Sequence, residues 1–223
     1  RIHLTLHANS RPVSSNQRHM HPRLAATVTR HLGAPYRRPV ADHSRAAYST
    51  LRENLALNNR PLVVDSFCGT GHSTALLAER FPDHLVVGID KSAQRLGKHP
   101  PGNGENYCLL HADCEDIWQL MVGDGLVAAH HFILYPNPWP KAKHLQRRVH
   151  GHGSLPLLLQ LGSAITLRSN WQIYVEEFGL AMHLAGRRGV VSRISGEPPI
   201  TLFEQKYRDS GHTLWQFHAG GSP

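Results

Sequence analysis

Residues 62–90 combine two glycines with acidic side chains at the ends of predicted strands. One apolar run ends at Asp65, and Gly69 and Gly71 follow in a Cys-Gly-Thr-Gly turn. Glycine accepts positive φ and lets a ligand lie against the backbone. A second apolar run ends at Asp90, 19 residues beyond Gly71, close to the spacing at which a carboxylate accepts hydrogen bonds from a ribose diol. This stretch predicts a nucleoside-binding unit.

The segment after the glycine turn narrows the kind of nucleoside. A helix is predicted over 72–80, with Ser73 or Thr74 as its cap. Dinucleotide sites usually carry a third glycine, but Thr74 fills that position,. Asp65 would repel a pyrophosphate, whereas it suits the cationic amino-acid part of S-adenosylmethionine. A dehydrogenase is therefore disfavoured, and D-x-x-C-G-T-G followed by G-I-D resembles the first two motifs of class I methyltransferases.

Length and composition limit the number of domains, the kind of partner and the cellular compartment that we expect. The 223 residues allow one domain with a full core, and 24 Lys and Arg against 16 Asp and Glu give a formal charge of +8,. This charge favours a polyanionic partner. Cys68, Cys108 and Cys114 are odd in number and lack metal-ligand spacing, so we predict no metal and a reducing compartment, the cytoplasm. No apolar run has membrane-spanning length, and the oligomeric state, monomer or homodimer, stays open.

The order of predicted elements indicates an α/β fold. Residues 1–42 are predicted to form a basic, partly extended arm with one short helix, and 43–223 the main domain. Helices are predicted over 44–57, 91–99 and 115–121, strands over 107–110 and 131–134, a loop over 102–104 and an antiparallel strand over 213–217. We predict a Rossmann-like, seven-stranded, mostly parallel sheet with helices on both faces and an antiparallel last strand.

A third acidic position follows the strand predicted over 107–110. Asp113 and Cys114 lie just beyond that strand, at the sheet edge where parallel strands hold ligands. Asp113 is either a helix cap or the acceptor for the adenine amino group.

The second informative stretch, residues 135–152, follows the fourth strand. Three prolines within five residues predict a rigid, irregular loop with few free backbone donors,. The chain then becomes basic, and the side chains that could contact phosphates at the rim of the crevice are Lys141, Lys143, His144, Arg147 and Arg148,.

Here the sequence Y-P-N-P-W-P-K-x-K-H-x-x-R-R resembles the signature loop of the tRNA (guanine-N7)-methyltransferase family, which has F-P-D-P-W followed by Lys, His and paired Arg. Residues 169–174 are similar to that family's Thr-Asp-Trp and Tyr, and residues 201–204 to its Thr-x-Phe-Glu segment. The likeness covers about residues 60–217. It implies that S-adenosylmethionine is held by Asp65, Gly69, Gly71, Asp90, Asp113, Cys114, Thr201 and Glu204, and that tRNA meets the basic residues of the loop together with Asn170 and Tyr174.

Two acids typical of that family are amides here, Asn137 in the proline loop and Asn170 in the later segment. Methylation of the guanine ring nitrogen leaves a cationic purine, which a carboxylate would stabilise and an amide only polarises. We assign Asn137 to the catalytic position. The N-P-W-P loop is also similar to the Asn-Pro-Pro-aromatic loop of amine methyltransferases. The alternatives left open are methylation of an exocyclic amine and a non-catalytic RNA-binding module.

Overall fold

The computed structural model describes residues 9–100 and 104–220. Its strands are β1 (Leu62–Ser66), β2 (Leu85–Asp90), β3 (Tyr107–His111), β4 (Ala128–Leu134), β5 (Gly162–Ser169), β6 (Val190–Arg193) and β7 (Trp215–Ala219). Its helices are α1 (Leu24–Leu32), α2 (Asp42–Asn58), α3 (His72–Arg80), α4 (Ala93–Leu96), α5 (Cys114–Gly123), α6 (Leu155–Leu161), α7 (Gln172–Leu184) and α8 (Leu202–Asp209). Two 3₁₀ segments, Ala142–Arg147 and Val149–Gly151, follow the proline loop. Arm residues 1–8 and most of the loop predicted over 102–104 lie outside the described residues.

All seven strands form one sheet in the order β3-β2-β1-β4-β5-β7-β6. The neighbours from β3 to β5 are parallel, and β7 runs antiparallel to β5 and β6. The predicted fold class is confirmed, including the antiparallel last strand. Strand order reverses between β1 and β4, so the carboxyl ends of these two strands flank the crevice in which open α/β sheets bind ligands.

The central strands are apolar on both faces because helices cover both sides. Every residue of β1 and of β2 is buried. On one face α2, α5, α6 and α7 contribute to the largest buried apolar cluster, and on the other α3 packs through Leu77 and Ala78. This packing holds the ends of β1, β2 and β4 in fixed positions beneath the loops that follow them.

Some predicted boundaries were wrong. The helix predicted over 91–99 is reduced to the four residues of α4, because Ser92 caps its start and the chain leaves the helix at Gly97. Strand β4 begins three residues earlier than predicted, at Ala128. Strand β6 was not predicted as a separate element, since its residues are largely exposed and show no apolar alternation. No described helix is both long and apolar enough to cross a membrane.

The arm contacts the main domain along much of its described length. In α1, Leu24 and Val28 are buried in a cluster with Leu155 of α6 and Ala181 of α7. The backbone N–H of Ala41 donates to a carboxylate of α5 at 3.1 Å. The arm therefore packs as part of one folded body, while the domain boundary at residue 42 stays a prediction.

Candidate active site

A cleft of about 630 Å³ opens at the carboxyl ends of β1 and β4. Its lining is unusually aromatic. Of the 16 Phe, Trp and Tyr residues in the chain, seven line this one cleft: Phe67, Trp118, Tyr135, Trp139, Tyr174, Phe203 and Tyr207. Planar aromatic surface of this extent suits the faces of nucleobases, which stack on such side chains.

Three of these aromatic residues have a backbone conformation that bulky side chains rarely adopt. The φ angles are 62° at Phe67, 54° at Tyr135 and 43° at Trp139. The left-handed region costs an L-residue with a Cβ about 1–2 kcal/mol. Such conformations persist where the surrounding structure imposes them, often at functional sites. Because three such residues line the same cleft, we infer that this cleft is the functional site.

Asp65 lies at the end of β1 beneath the glycine turn and is fully buried. Its Oδ2 accepts hydrogen bonds from the hydroxyls of Ser73 (2.7 Å) and Thr74 (2.8 Å). The predicted capping role of these two residues is therefore wrong, since α3 begins after Gly71 without a side-chain cap. Asp65 Oδ1 has no hydrogen-bond partner among the described residues. Burial raises the pKa of Asp65 to about 6, although the two hydroxyls oppose this rise.

Asp90 fixes the glycine turn from the neighbouring strand. Its Oδ2 accepts from the backbone N–H of Gly69 at 2.9 Å, and its Oδ1 accepts from the N–H of Ser92 at 2.8 Å. Arg95 adds an ion pair at 2.9 Å. A ribose diol that binds here would compete with Arg95, which lines the cleft and is 43% exposed.

Asp113 and Cys114 line the cleft at the end of β3. Asp113 occupies the N-cap position of α5, but its side chain makes no capping hydrogen bond. Its carboxylate lies 3.8 Å from Arg38 and remains partly exposed. Cys114 is buried, its Sγ accepts from the N–H of Phe67 at 3.3 Å, and burial raises the pKa of its thiol well above the ordinary value. Asp113 is thus available to a ligand, whereas Cys114 supports the turn.

Thr201 and Glu204 lie at the start of α8. Thr201 caps the helix, since its Oγ1 accepts from the N–H of Glu204 at 2.8 Å. Glu204 is fully buried, pairs with Arg168 at 3.0 Å and with Arg208 at 2.9 Å, and does not line the cleft. Its neighbour Phe203 does line the cleft and is 46% exposed.

Asn137 is exposed at the tip of the proline loop and lines the cleft. Its Oδ1 accepts from the backbone N–H of Trp139 at 3.2 Å. This local turn orients the amide and leaves the second lone pair of Oδ1 for a ligand.

The basic residues after this loop divide into two groups. Lys141, Lys143 and Arg147 are exposed and His144 is half-buried, as a phosphate-contacting rim requires. Arg148 has no exposed surface and pairs with a buried carboxylate of α7 at 2.7 Å. The phosphate contact predicted for Arg148 does not fit this structure, because its guanidinium is enclosed in the protein.

Comparisons with known proteins agree with this geometry. Residues 59–217 match the family described as "Putative methyltransferase". A tRNA (guanine-N(7)-)-methyltransferase of Sphingopyxis alaskensis is 30% identical over 181 residues, which cover 71% of this chain and 75% of that protein. Another, from a Nocardioides species, is 34% identical over 69% of this chain and 65% of that protein. The chain belongs to the tRNA (guanine-N7)-methyltransferase family.

Solved structures agree on the fold. The 16S rRNA methyltransferase KamB superposes with a TM-score of 0.59 at 16% identity, over 83% of this chain and 96% of that one. A 16S rRNA (adenine(1408)-N(1))-methyltransferase from Catenulisporales acidiphilia superposes with a TM-score of 0.52 at 19% identity, over 79% and 92%. At sequence identities this low, the similarity shows a shared fold and nothing further.

The segments that carry the resemblance to the tRNA (guanine-N7)-methyltransferase family meet at the carboxyl edge of the sheet. Tyr174 lines the cleft although fully buried, and its hydroxyl accepts from the N–H of Val149 at 3.1 Å. Asn170 follows β5, outside the cleft lining, and lies 3.3 Å from the ring of His212. Lys141, Lys143 and His144 belong to the rim and not to the lining.

Several cleft residues were missed by sequence reasoning. These include Arg95 of α4, and His152 after the second 3₁₀ segment. Arg38 of the basic arm also lines the cleft. Phe67 could have been predicted from its position, since it directly precedes the Cys-Gly-Thr-Gly turn. Among the described residues, no group of His, Cys, Asp and Glu side chains is arranged to hold a metal.

Proposed function

We propose that this protein transfers a methyl group from S-adenosylmethionine to the N7 atom of a guanine in tRNA. The observation that carries the proposal is the cleft in which the proline loop, the aromatic side chains and Asp113 after β3 meet. Asp65 and Asp90 are buried at the neighbouring strand ends and do not line it. Family membership supports the reaction type, and the relatives named above are tRNA (guanine-N(7)-)-methyltransferases.

The residues beneath the glycine turn fit the proposed cofactor. Asp65 Oδ1 is a buried carboxylate oxygen that no described residue contacts by a hydrogen bond, so a cationic group would relieve the cost of ionising this side chain. Within the described part of the chain, a Cβ placed at Gly69 would have no heavy atom within 4 Å other than its chain neighbours, which leaves open space above the turn. Asp90 would accept from the ribose and Asp113 from the adenine amino group. When bound, S-adenosylmethionine supplies an electrophilic methyl group on a sulfonium.

The acceptor nitrogen needs no base. Guanine N7 has a free lone pair, so it can form the new N–C bond while the methyl–sulfur bond breaks in line, and no proton moves. The purine becomes cationic as the bond forms. Asn137 would orient the base and present its oxygen dipole to that charge. Holding the two reactants in line is worth on the order of 7 to 11 kcal/mol, which makes positioning the main contribution of the protein.

The charge of the rim favours RNA as the carrier of the acceptor. Lys141, Lys143 and Arg147 are exposed beside the cleft, and the guanidinium of Arg147 lies 4.8 Å from the ring centre of Trp139. Cations and aromatic faces in alternation contact phosphates and unstacked bases. We also propose that the enzyme is cytoplasmic. The three thiols form no disulfide in the described part of the chain, which is in keeping with that location.

A second candidate is methylation of an exocyclic amine. The observation that favours it is Asn137 itself, because an amide oxygen and loop carbonyls would accept from an amine and keep its lone pair available.

The test is incubation of the protein with labelled S-adenosylmethionine and total tRNA, followed by nucleoside analysis. The proposal expects 7-methylguanosine. Label in an N-methylated exocyclic amine would favour the second candidate. Binding of RNA without transfer, at saturating S-adenosylmethionine, would contradict both and leave an RNA-binding module.

A further inference from the structure

A buried charged cluster lies behind the proline loop and outside the cleft residues assigned above. We call Gln17, Arg148, His150 and Glu177 the Glu177 cluster. Arg148, His150 and Glu177 have no exposed surface. Sequence reasoning assigned nothing to Glu177, and the mechanism proposed above does not use it.

The carboxylate of Glu177 divides its two oxygens between two segments. Oε1 accepts from Gln17 Nε2 at 2.6 Å and from the backbone N–H of His21 at 2.7 Å, both in the arm. Oε2 accepts from Arg148 Nη1 at 2.7 Å and from His150 Nε2 at 2.8 Å, both just beyond the proline loop. One side chain of α7 thus joins the arm to the acceptor side of the cleft.

Arg148 carries this connection to the loop itself. Its Nε and Nη2 both donate to the carbonyl of Trp139 at 3.2 Å, and Nη2 reaches the carbonyl of Lys141 at 3.4 Å. Nη2 also donates to Gln17 Oε1 at 3.1 Å. The guanidinium therefore holds the two residues that frame Pro140, three positions after Asn137.

The arm also contacts the same loop directly. Ser15 Oγ donates to the carbonyl of Pro140 at 2.5 Å, and Asn16 Oδ1 accepts from the N–H of Ala142 at 3.1 Å. Ser15 and Asn16 thus contact the loop directly, while the next residue, Gln17, is connected to the loop through Arg148. The loop has few backbone donors of its own, because prolines occupy three of five positions,.

The Glu177 cluster is a costly way to gain stability. Burial raises the pKa of Glu177, but hydrogen bonds from His150 and Arg148 outweigh this effect and lower the pKa to about 2. The charge is therefore retained at neutral pH. Apolar side chains of similar volume often stabilise a buried site as well as an ion pair does, whereas an ionic network fixes one arrangement of its partners. The arrangement fixed here is that of the arm against the loop.

We propose that Glu177 is a positioning residue for methyl transfer, which holds the Asn137 loop through Arg148 only while the arm is docked through Gln17. The inference rests on the proposed function, because it concerns the geometry of the same acceptor site. It makes the arm a working part of that site.

The test compares Glu177→Gln with Glu176→Gln. The amide at 177 directs an N–H₂ group either at the arm donors or at Arg148 and His150, so one connection is lost. Glu176 is the matched control, since it is partly exposed on the same helix and contacts Gln172 at 2.8 Å. Adding Gln17→Glu to Glu177→Gln returns one carboxylate to the Glu177 cluster and is the rescue.

The measurements are single-turnover methylation at saturating tRNA, calorimetry with S-adenosylmethionine, and tryptic cleavage at the exposed Arg18 of the arm. A loop displaced by about 1 Å would slow transfer on the order of 100-fold. We expect that loss for Glu177→Gln with faster cleavage at Arg18, partial recovery in the double variant, and near-normal behaviour of Glu176→Gln. S-adenosylmethionine affinity should stay within about twofold.

Two outcomes would overturn the inference in distinguishable ways. If wild type methylates RNA and Glu177→Gln does so at the same rate, Glu177 only stabilises the fold, and the proposed function survives. If wild type transfers no methyl group to any RNA, the proposed function fails and the positioning role fails with it.

Discussion

Asp65→Asn should stabilise the free protein more at pH 8 than at pH 5. The pKa of Asp65 is raised to about 6 from an ordinary 3.8, so the native state binds a proton that the unfolded chain has already released. The stabilisation of the native state by this bound proton is fully present below the unfolded pKa, and it is lost as the pH rises through 6. The difference between the native and the unfolded pKa corresponds to about 3 kcal/mol of unfolding free energy. About half of this free energy is lost between pH 5 and pH 8.

The measurement is urea unfolding of both proteins at the two pH values. An amide at position 65 has a fixed cost, because its N–H₂ group takes the place of an oxygen for which the described residues offer no hydrogen-bond partner. This cost is the same at both pH values and cancels in the comparison. We expect the change in unfolding free energy caused by Asp65→Asn to be about 1.4 kcal/mol more favourable at pH 8 than at pH 5.

Two further measurements test the titration of Asp65. Ser73→Ala removes a donor that lowers the pKa of Asp65, so it should move the pH dependence to higher pH. If Asp65 meets the cationic part of the cofactor, the affinity of wild type should fall by up to about tenfold per pH unit below 6, and Asp65→Asn should lack this dependence. Equal effects of Asp65→Asn on stability at pH 5 and pH 8 would show that Asp65 does not titrate as argued.

Three other predictions concern the cofactor, the RNA and the acceptor. Asp90→Ala should weaken S-adenosylmethionine binding in calorimetry more than Asp113→Ala, because a diol gives one carboxylate two charge-assisted hydrogen bonds worth about 1.5 to 3 kcal/mol each; equal losses would contradict the assignment. Lys143→Ala with Arg147→Ala should flatten the salt dependence of tRNA binding by roughly 0.7 to 0.9 per lost phosphate contact, and an unchanged slope would put the RNA path elsewhere. Asn137→Asp should hold or raise turnover if guanine N7 is the acceptor, since the added charge opposes the forming cation, whereas a large fall with intact folding and cofactor affinity would favour an exocyclic amine.

The parts of the site that sequence predicted correctly are local. The glycine turn, Asp90 and Asp113 each follow directly from an apolar strand, and a parallel sheet brings the ends of such strands to one edge whatever the rest of the chain does. The type and order of the elements from β1 to β4 were therefore predictable. Ser73 shows the limit even within this stretch, because the sequence cannot reveal that a hydroxyl at a helix start bonds to a buried acid in the preceding strand.

The predictions that were wrong concern residues whose contacts lie far away in the sequence. Arg148 belongs to a basic run that suggests phosphate contacts, and only Glu177, 29 residues away, turns it inward. The same holds for the arm, whose residue Gln17 meets Arg148 across 131 positions. Composition marks such segments as solvated and basic, since the burial of each polar group depends on a hydrogen-bond partner that composition does not identify.

The amide at Asn137 and the buried Arg148 bear on one question, how this site meets the charge that forms on the base. A carboxylate at position 137 would stand against the forming cation, but the guanidinium of Arg148 lies behind the same loop and is already neutralised by Glu177. The carboxylate of Glu177 therefore compensates the buried guanidinium that lies behind the Asn137 loop. Loss of the Glu177 charge would leave Arg148 uncompensated behind the loop, and Coulomb repulsion would then oppose a cationic purine as well as loosen the loop. Because salt screens a fully buried charge only weakly, the slower transfer of Glu177→Gln should persist at high ionic strength in single-turnover assays with bound tRNA. Recovery of the wild-type rate in high salt would place the defect in exposed charges and contradict this account.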